Sequence, residues 1–190
     1  MYTTRTGLTL GFHGTDQSIV DKVINGGSDL EPRNNPYDWL GFGVYFWDNS
    51  YSRALEWAQN LSQRPGSTIE NPAVIGAIID LGNCLDLLDY SNIALVNQGY
   101  KILKATMDDS KMPINKGGND RLSRELDCAS IEALHTSLKM TDKPEFDSVR
   151  GVFWEGNEIY PTAGFKDKNH IQICVRNINC IKGYFLPIQR

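Results

Sequence analysis

Apolar residues recur in short runs along the first part of the chain, and each run ends at turn-forming residues. Residues 7–12 (GLTLGF) predict a strand that ends in a turn at His13. Asp16 is a predicted N-cap for a helix over 17–24, and the Asn-Gly-Gly sequence at 25–27 ends that helix. The apolar positions of the helix fall on one face: Ile19, Val20, Val23 and Ile24.

A second strand–helix unit follows a polar segment. Residues 28–39 are rich in proline, asparagine and aspartate and predict a surface loop. The glycine-punctuated run at 41–46 (GFGVYF) predicts a short strand, and a helix is expected from about Tyr51 to Leu61. Residues 73–81 (AVIGAIIDL) form a mostly apolar run, bounded by Pro72 and Gly82, that is typical of a buried strand.

The rest of the chain separates helices from strands. Residues 93–107 and 122–139 have helical periodicity, and a polar, glycine-rich connector lies between them at 108–120. Three strand-like runs end the sequence, at 147–154, 170–176 and 180–186. This order predicts an α+β fold in one domain over 1–190, with a helical insertion at about 89–140 that covers one face of the sheet.

Composition narrows the class of protein. The chain of 190 residues is 41% hydrophobic and 22% charged, as is usual for a globular protein with a sizeable core. It has no apolar run long enough for a membrane span and no secretory signal pattern at its start, so we predict a cytoplasmic protein without a membrane partner. A net charge of -4 without a basic segment gives no reason to predict strong electrostatic binding to nucleic acid, although a folded patch of basic residues would still allow it.

The cysteines and histidines do not predict a metal site. The four cysteines include no Cys-x-x-Cys pair, and we expect them to be free thiols, mostly buried. The three histidines are far apart in sequence, which leaves a zinc site without support.

Three polar or aromatic positions on the predicted strands are candidates for a binding site. His13 at a strand end can donate a hydrogen bond to a ribose hydroxyl, or it is a structural turn residue. Tyr45 follows two glycines and can stack on a flat heterocycle such as nicotinamide, or it is a core aromatic. On the strand 170–176, strict alternation puts Gln172 on the same face as His170 and Cys174, where it lines a site or an exposed sheet face.

Three motifs in this order resemble the diphtheria-toxin-like and poly(ADP-ribose) polymerase-like ADP-ribosyltransferases. They are His13-Gly14-Thr15, Gly-x-Gly-x-Tyr-Phe at 41–46, and a late strand followed by Arg-Asn-Ile-Asn-Cys-Ile at 176–181. The resemblance implies a split β-sheet with flanking helices. It implies that His13 binds the adenosine ribose of NAD and that the backbone of Gly14 approaches the amide of nicotinamide. Thr15 and Gly43 are then further NAD contacts.

The same resemblance assigns the nicotinamide end of the site. Tyr45 would stack on the nicotinamide, and Trp57 on the following helix would close the other face of the ring. Gln172 aligns with the glutamate of the family. A glutamine accepts a hydrogen bond from the nicotinamide ribose, but it brings no negative charge to a developing cation and cannot serve as a base. This predicts transfer of a single unit rather than a polymer.

Other charged residues are candidates for the negative charge that Gln172 lacks and for contacts with the pyrophosphate of NAD. Glu155 and Glu158 lie in the loop before the strand of Gln172. They either supply the negative charge that Gln172 lacks or are solvated loop residues. Arg33 or Arg53 meets the pyrophosphate or is a surface charge. The loop at 34–39, which includes Tyr37, Asp38 and Trp39, is a second contact region.

The resemblance therefore implies an NAD-dependent mono-ADP-ribosyltransferase, a glycosyltransferase with NAD as substrate and no metal. The acceptor is a protein or a nucleic acid, and the role is that of a bacterial toxin or phage-defence effector with an antitoxin protein as a partner. NAD hydrolysis and a non-catalytic NAD-binding module are the alternatives. An RNA 2′-phosphotransferase is disfavoured because no arginine lies near His13 in the sequence.

Overall fold

A computed structural model describes residues 7–118 and 122–188, and within them the fold is α+β, as predicted. A mixed sheet contains seven strands in the order β4-β7-β8-β2-β1-β3-β9, and β5 pairs with β6 in a separate hairpin. The strands are β1 (Thr9–Asp16), β2 (Val44–Asp48), β3 (Pro72–Ile79), β4 (Cys84–Asp86), β5 (Asn115–Lys116), β6 (Ser123–Arg124), β7 (Ser148–Phe153), β8 (His170–Val175) and β9 (Ile181–Phe185). The helices are α1 (Gln17–Ile24), α2 (Tyr51–Ser62), α3 (Tyr90–Thr106) and α4 (Glu125–Met140).

The centre of the sheet divides between β1 and β2. Strand β1 pairs with β3 along its whole length, from Thr9 opposite Ile79 to Asp16 opposite Pro72. It pairs with β2 at Gly11 and Phe12 alone, and beyond these residues the two strands separate. The predicted turn at His13 is therefore wrong: residues 13–16 continue the strand because β3 supplies their hydrogen-bonding partners.

Helices cover both faces of the sheet and leave a gap on one of them. Val20 and Val23 of α1 pack with Phe46 in the main core on one face. On the other face, α2 packs over β1 through Ala54, and α4 packs over β7 and β8 through Ile131. The helical insertion thus covers the sheet as predicted. Between α2 and α4, the face of β2 and β8 is left open.

Local sequence signals explain the first helix, whose predicted bounds are confirmed. The Asp16 carboxylate accepts a hydrogen bond from the backbone N–H of Ser18, as an N-cap does. The helix ends where Gly26 takes a positive φ of 74°, which glycine adopts without strain.

Two elements of the structure were not predicted. The short strand β4 pairs in parallel with β7, and the hairpin of β5 and β6 lies partly within the predicted connector at 108–120. Positions 119–120 of that connector lie outside the described residues. Three-residue and two-residue strands carry too little periodicity to be recognised, and a parallel pairing depends on residues distant in sequence.

Close packing of β1 against α2 gives a first testable prediction, for Gly14→Ala. A Cβ atom at Gly14 would lie 2.1 Å from the backbone oxygen of Ala54, a distance that backbone atoms cannot relieve locally. We expect the substitution to lower the free energy of unfolding by about 3 kcal/mol. Urea denaturation measures this loss. Gly183→Ala on β9 is the control, because a Cβ there meets nothing within 4 Å; equal stability of the two variants would contradict the packing.

Candidate functional site

The separation of β1 from β2 opens a cleft of about 600 Å³, within the size range of small-molecule sites. It runs from α1 across the gap in the sheet to α2, under the loop at 28–39. Most of the predicted site residues line it, although they come from four distant parts of the chain: His13, Thr15, Gly43, Tyr45, Trp57 and Gln172. Gly14 is absent from this lining.

His13 bridges the two strands where their backbone pairing stops. Its Nδ1 lies 2.7 Å from the backbone oxygen of Tyr45, and a carbonyl oxygen only accepts, so Nδ1 carries the hydrogen and donates it. Burial lowers the pKa of His13 to about 4, and the nearby Arg33 guanidinium acts in the same direction. The side chain is therefore neutral at pH 7, and its Nε2 is a hydrogen-bond acceptor. The expected donor to a ribose hydroxyl is an acceptor from it instead.

Tyr45 is held rigidly with its ring at the cleft. Its hydroxyl donates to the backbone oxygen of Gly41 and accepts from the N–H of Leu40, each at 2.8 Å. Burial raises the pKa of this hydroxyl, which stays protonated. The hydroxyl is thus fully used for structure, and what Tyr45 offers to a ligand is the ring. A fixed aromatic face is suited to stacking on a flat heterocycle.

Gln172 lies on β8, opposite Trp47 of β2, and both side chains face the open gap between α2 and α4. The predicted alternation along β8 is confirmed, since Ile173 and Val175 point into the main core on the other face. The Gln172 amide makes no hydrogen bond with any side chain or backbone group in the described part of the chain. Its oxygen and nitrogen are both available to a ligand.

The two candidate glutamates, Glu155 and Glu158, have different surroundings in the structure. Glu155 lines the cleft, and its Oε2 lies 3.4 Å from Arg53 Nη2. Glu158 is outside the lining, and its carboxylate accepts from the backbone N–H of Thr162. Glu155 is therefore the carboxylate that shares the cleft with Gln172, whereas Glu158 stabilises a turn.

The two candidate arginines also differ. Arg53 is largely buried and bound to the carboxylates of Glu56 and Glu155, so it is neither a surface charge nor free for a pyrophosphate. Arg33 is exposed, lines the cleft and has no side-chain partner among the described residues. It lies close enough to His13 and Asp38 to lower the pKa of both. An arginine does therefore lie near His13 in space.

Asp38 is a further candidate whose chemistry the sequence did not indicate. Burial raises its pKa to about 6, against the opposing effect of a hydrogen bond from Asn35. It lines the cleft close to Tyr45. Carboxyls with raised pKa values are enriched in functional sites, because they exchange protons near neutral pH. The sequence placed Asp38 in a contact loop, but its raised pKa depends on burial, which is not readable from a loop sequence.

The two predicted glycine contacts have structural reasons of their own. Gly14 faces α2, as its packing on Ala54 requires, so the sheet and helix explain it without a ligand. Gly43 lines the cleft, but a Cβ there would lie 2.5 Å from the backbone oxygen of Val175. Both glycines permit close packing around the site.

The histidines give a prediction on the pH dependence of stability. Burial lowers the pKa of His13, His135 and His170 below the ordinary value of 6.5, so the unfolded chain binds more protons below that pH. The free energy of unfolding should therefore be fully retained above pH 6.5 and fall as the pH approaches about 4, the value for His13. The raised pKa of Asp38 makes stability change with pH in the opposite direction, but Asp38 is one group and the histidines are three.

Urea denaturation at several pH values across this range measures the effect. His135→Gln is the informative variant, since His135 is buried and its pKa is lowered first by burial and then by Arg176. A glutamine at position 135 takes up no proton, so the stability of this variant should depend less on pH than that of the unmodified protein. A flat profile for the unmodified protein would contradict the assignment of neutral histidines.

No helix in 7–118 or 122–188 is long and apolar enough to cross a membrane. Within the same residues, no cluster of three or more histidine, cysteine, aspartate or glutamate side chains is arranged to hold a metal ion. None of the four cysteines, all of which lie in the described residues, forms a disulfide bond, and Cys128, Cys174 and Cys180 are buried.

Comparison with known proteins adds a distant relative. The chain matches no protein-family model. It is 24% identical over 187 residues to the uncharacterized protein MJ0359 of Methanocaldococcus jannaschii, across 90% of this chain and 83% of the relative. The chain is thus similar along most of its length to an uncharacterized archaeal protein.

Proposed function

We propose that this protein is an NAD-dependent mono-ADP-ribosyltransferase. The observation that carries the proposal is the meeting of His13, Tyr45 and Gln172 in one cleft at the gap between β1 and β2. These residues belong to three separate strands, and their motifs are the ones that resemble the ADP-ribosyltransferases. The finer assignment of the fold, an ADP-ribosyltransferase-like split sheet, is part of the proposal and is supported by the separation of these strands.

Each residue has a role that fits its contacts. The Tyr45 ring stacks on one face of nicotinamide, and Trp57 of α2 covers the other face. The Nε2 of His13 accepts a hydrogen bond from a hydroxyl of the adenosine ribose, and the Oε1 of Gln172 accepts one from the nicotinamide ribose. Arg33 is a cation in the cleft lining that can pair with the pyrophosphate.

The reaction follows from these positions. The bond between C1′ of the ribose and the nicotinamide nitrogen breaks, and nicotinamide leaves with the electron pair. A nucleophilic atom of the acceptor forms a bond to C1′, and its proton passes to a carboxylate. Glu155 is the carboxylate on the Gln172 side of the cleft, and Arg53 holds it in place. The amide at position 172 cannot serve as the base that a glutamate provides there for chain elongation, so we expect transfer of a single unit.

Incubation of the purified protein with NAD labelled in the adenosine half, together with cell extract, tests the proposal. We expect label on a macromolecule and release of free nicotinamide in equal amounts. Nicotinamide release with free ADP-ribose and no labelled macromolecule would replace transfer by hydrolysis. NAD binding without turnover would leave a binding module, and a folded protein that binds no NAD would refute all three functions.

A further inference from the structure

Three buried polar atoms near Gln172 have no hydrogen-bond partner within the described part of the chain. They are Nε1 of Trp47, Nε of Arg53 and Nε2 of His170. Buried N–H groups are almost always paired, and leaving one unpaired costs about 1–3 kcal/mol. Trp47 is 4% exposed, and both Trp47 and Arg53 line the cleft. Two unused donors in a cleft wall indicate a ligand group that accepts hydrogen bonds.

These donors lie next to the place assigned to nicotinamide, and Trp57 and Gln172 form the border that the two places share. Trp47 follows Tyr45 by two residues on the same face of β2, which separates the two side chains by about 7 Å along the strand. Trp57 of α2 packs against Trp47 with ring centroids 5.6 Å apart. We name this second place, walled by Trp47, Trp57, Arg53, Glu155 and Gln172, the tryptophan subsite.

The polar groups of the tryptophan subsite are of two kinds. Trp47 and Arg53 offer N–H donors, and Arg53 is kept in position by its ion pair with Glu155. Glu155, which lines the same cleft, offers oxygen acceptors. A flat ring that carries a carbonyl oxygen next to an N–H satisfies both kinds at once. That arrangement, a lactam, occurs in guanine, uracil and thymine.

Exposed aromatic side chains lie in the loop that follows β7 and carries Glu155. Trp154, next to Glu155 in sequence, is 56% exposed, and Lys166 Nζ lies 4.4 Å from its ring centroid. Tyr160 and Phe165 in the same loop are 56% and 62% exposed. Aromatic platforms with neighbouring lysines bind unpaired bases by stacking, which depends less on net charge than phosphate binding does.

We propose that the tryptophan subsite holds a lactam-bearing base, guanine, uracil or thymine, of a single-stranded nucleic acid that is the acceptor of the transfer. This inference rests on the proposed function and names its substrate class. A nitrogen of the base bonds to C1′ as nicotinamide departs, and the proton on that nitrogen passes to Glu155. The net charge of -4 makes base stacking and hydrogen bonding, rather than phosphate contacts, the source of affinity.

Binding and transfer are measured separately. Fluorescence anisotropy uses labelled oligonucleotides of about 12 adenosines with one central guanine, thymine or cytosine, as DNA and as RNA with uracil for thymine. We expect the full-length protein to bind the lactam-bearing oligonucleotides about tenfold more tightly than those with cytosine or adenine at the centre. With labelled NAD, the same oligonucleotides should acquire the label.

Three variants link the selectivity to the subsite. Trp47→Phe keeps an aromatic ring and removes the N–H, and Glu155→Gln removes the acceptor charge. Each should reduce the base preference about fivefold or more. For Trp47→Phe, calorimetry should find little change in NAD affinity, because no NAD contact is assigned to Trp47. Glu158→Gln, the matched control on the same loop, should change neither. If Trp47→Phe is unstable, Glu155→Gln against Glu158→Gln carries the comparison alone.

The possible outcomes test the tryptophan subsite and the proposed transferase activity separately. Equal binding of all bases, or no binding, overturns the tryptophan subsite as a base site. Label on protein with none on the oligonucleotides overturns the nucleic-acid acceptor and leaves the transferase standing. Base-selective binding that Glu155→Gln abolishes, without any consumption of NAD, supports the subsite and refutes the transferase.

Discussion

Replacement of His13 by alanine is expected to weaken NAD binding about 100-fold, close to 2.7 kcal/mol. The imidazole does two things at the place where β1 and β2 separate. Its Nδ1–H satisfies the backbone oxygen of Tyr45 at 2.7 Å, and its neutral Nε2 accepts from a ribose hydroxyl in the proposed complex. Alanine removes both, so a ligand hydrogen bond is lost and a backbone oxygen is left unpaired behind the stacking ring.

Isothermal titration with NAD measures the loss. His13→Gln is the matched control, because a glutamine side chain has both an N–H donor and an oxygen acceptor, and we expect it to regain most of the lost affinity. Thermal unfolding of both variants separates binding from folding. An alanine variant that is folded and binds NAD with unchanged affinity would contradict the placement of NAD at His13.

The structure also predicts how the proposed contact between His13 and the ribose depends on pH. Because burial lowers the pKa of His13 to about 4, Nε2 remains an acceptor across the neutral range. An ordinary surface histidine would begin to lose that lone pair near pH 6.5. The separation of the strands and the desolvation of His13 therefore work together, and neither is visible in the motif His-Gly-Thr.

The sequence predicted the elements whose signals are local. The bounds of α1 follow from the Asp16 cap and the glycine end, and the alternation that points Gln172 into the gap is a property of the strand alone. The sharing of one cleft by His13, Tyr45 and Gln172 could be expected only from the resemblance of their motifs, because periodicity does not say which strands are neighbours.

What escaped prediction depends on distant partners. The tautomer of His13 is fixed by a carbonyl 32 residues away, and the assignment of Glu155 rather than Glu158 depends on Arg53 of α2. The buried N–H of Trp47 is unpaired because of how α2 and β8 pack around it. None of these facts follows from residue type and spacing, since burial and partner choice are set by the assembled sheet.

The second large effect is expected at Gln172, where two substitutions should move the rate in opposite directions. Gln172→Leu keeps the volume but offers no acceptor to the nicotinamide ribose, and we expect nicotinamide release to slow about 100-fold. Gln172→Glu adds a negative charge opposite the developing cation, and release should accelerate about tenfold or more. Glu155 on the same side of the cleft opposes a second carboxylate, while Arg53 offsets it.

Steady-state assays of nicotinamide release at saturating NAD distinguish the roles, because both changes should appear in kcat rather than in KM. Equal rates for the unmodified protein and Gln172→Leu would show that position 172 does not touch the reacting ribose. A chain whose NAD site had lost catalysis altogether would gain release activity in Gln172→Glu while showing none to lose in Gln172→Leu. The pair of variants therefore separates a working single-unit transferase from a binding module, since only the transferase has both a rate to lower and a rate to raise.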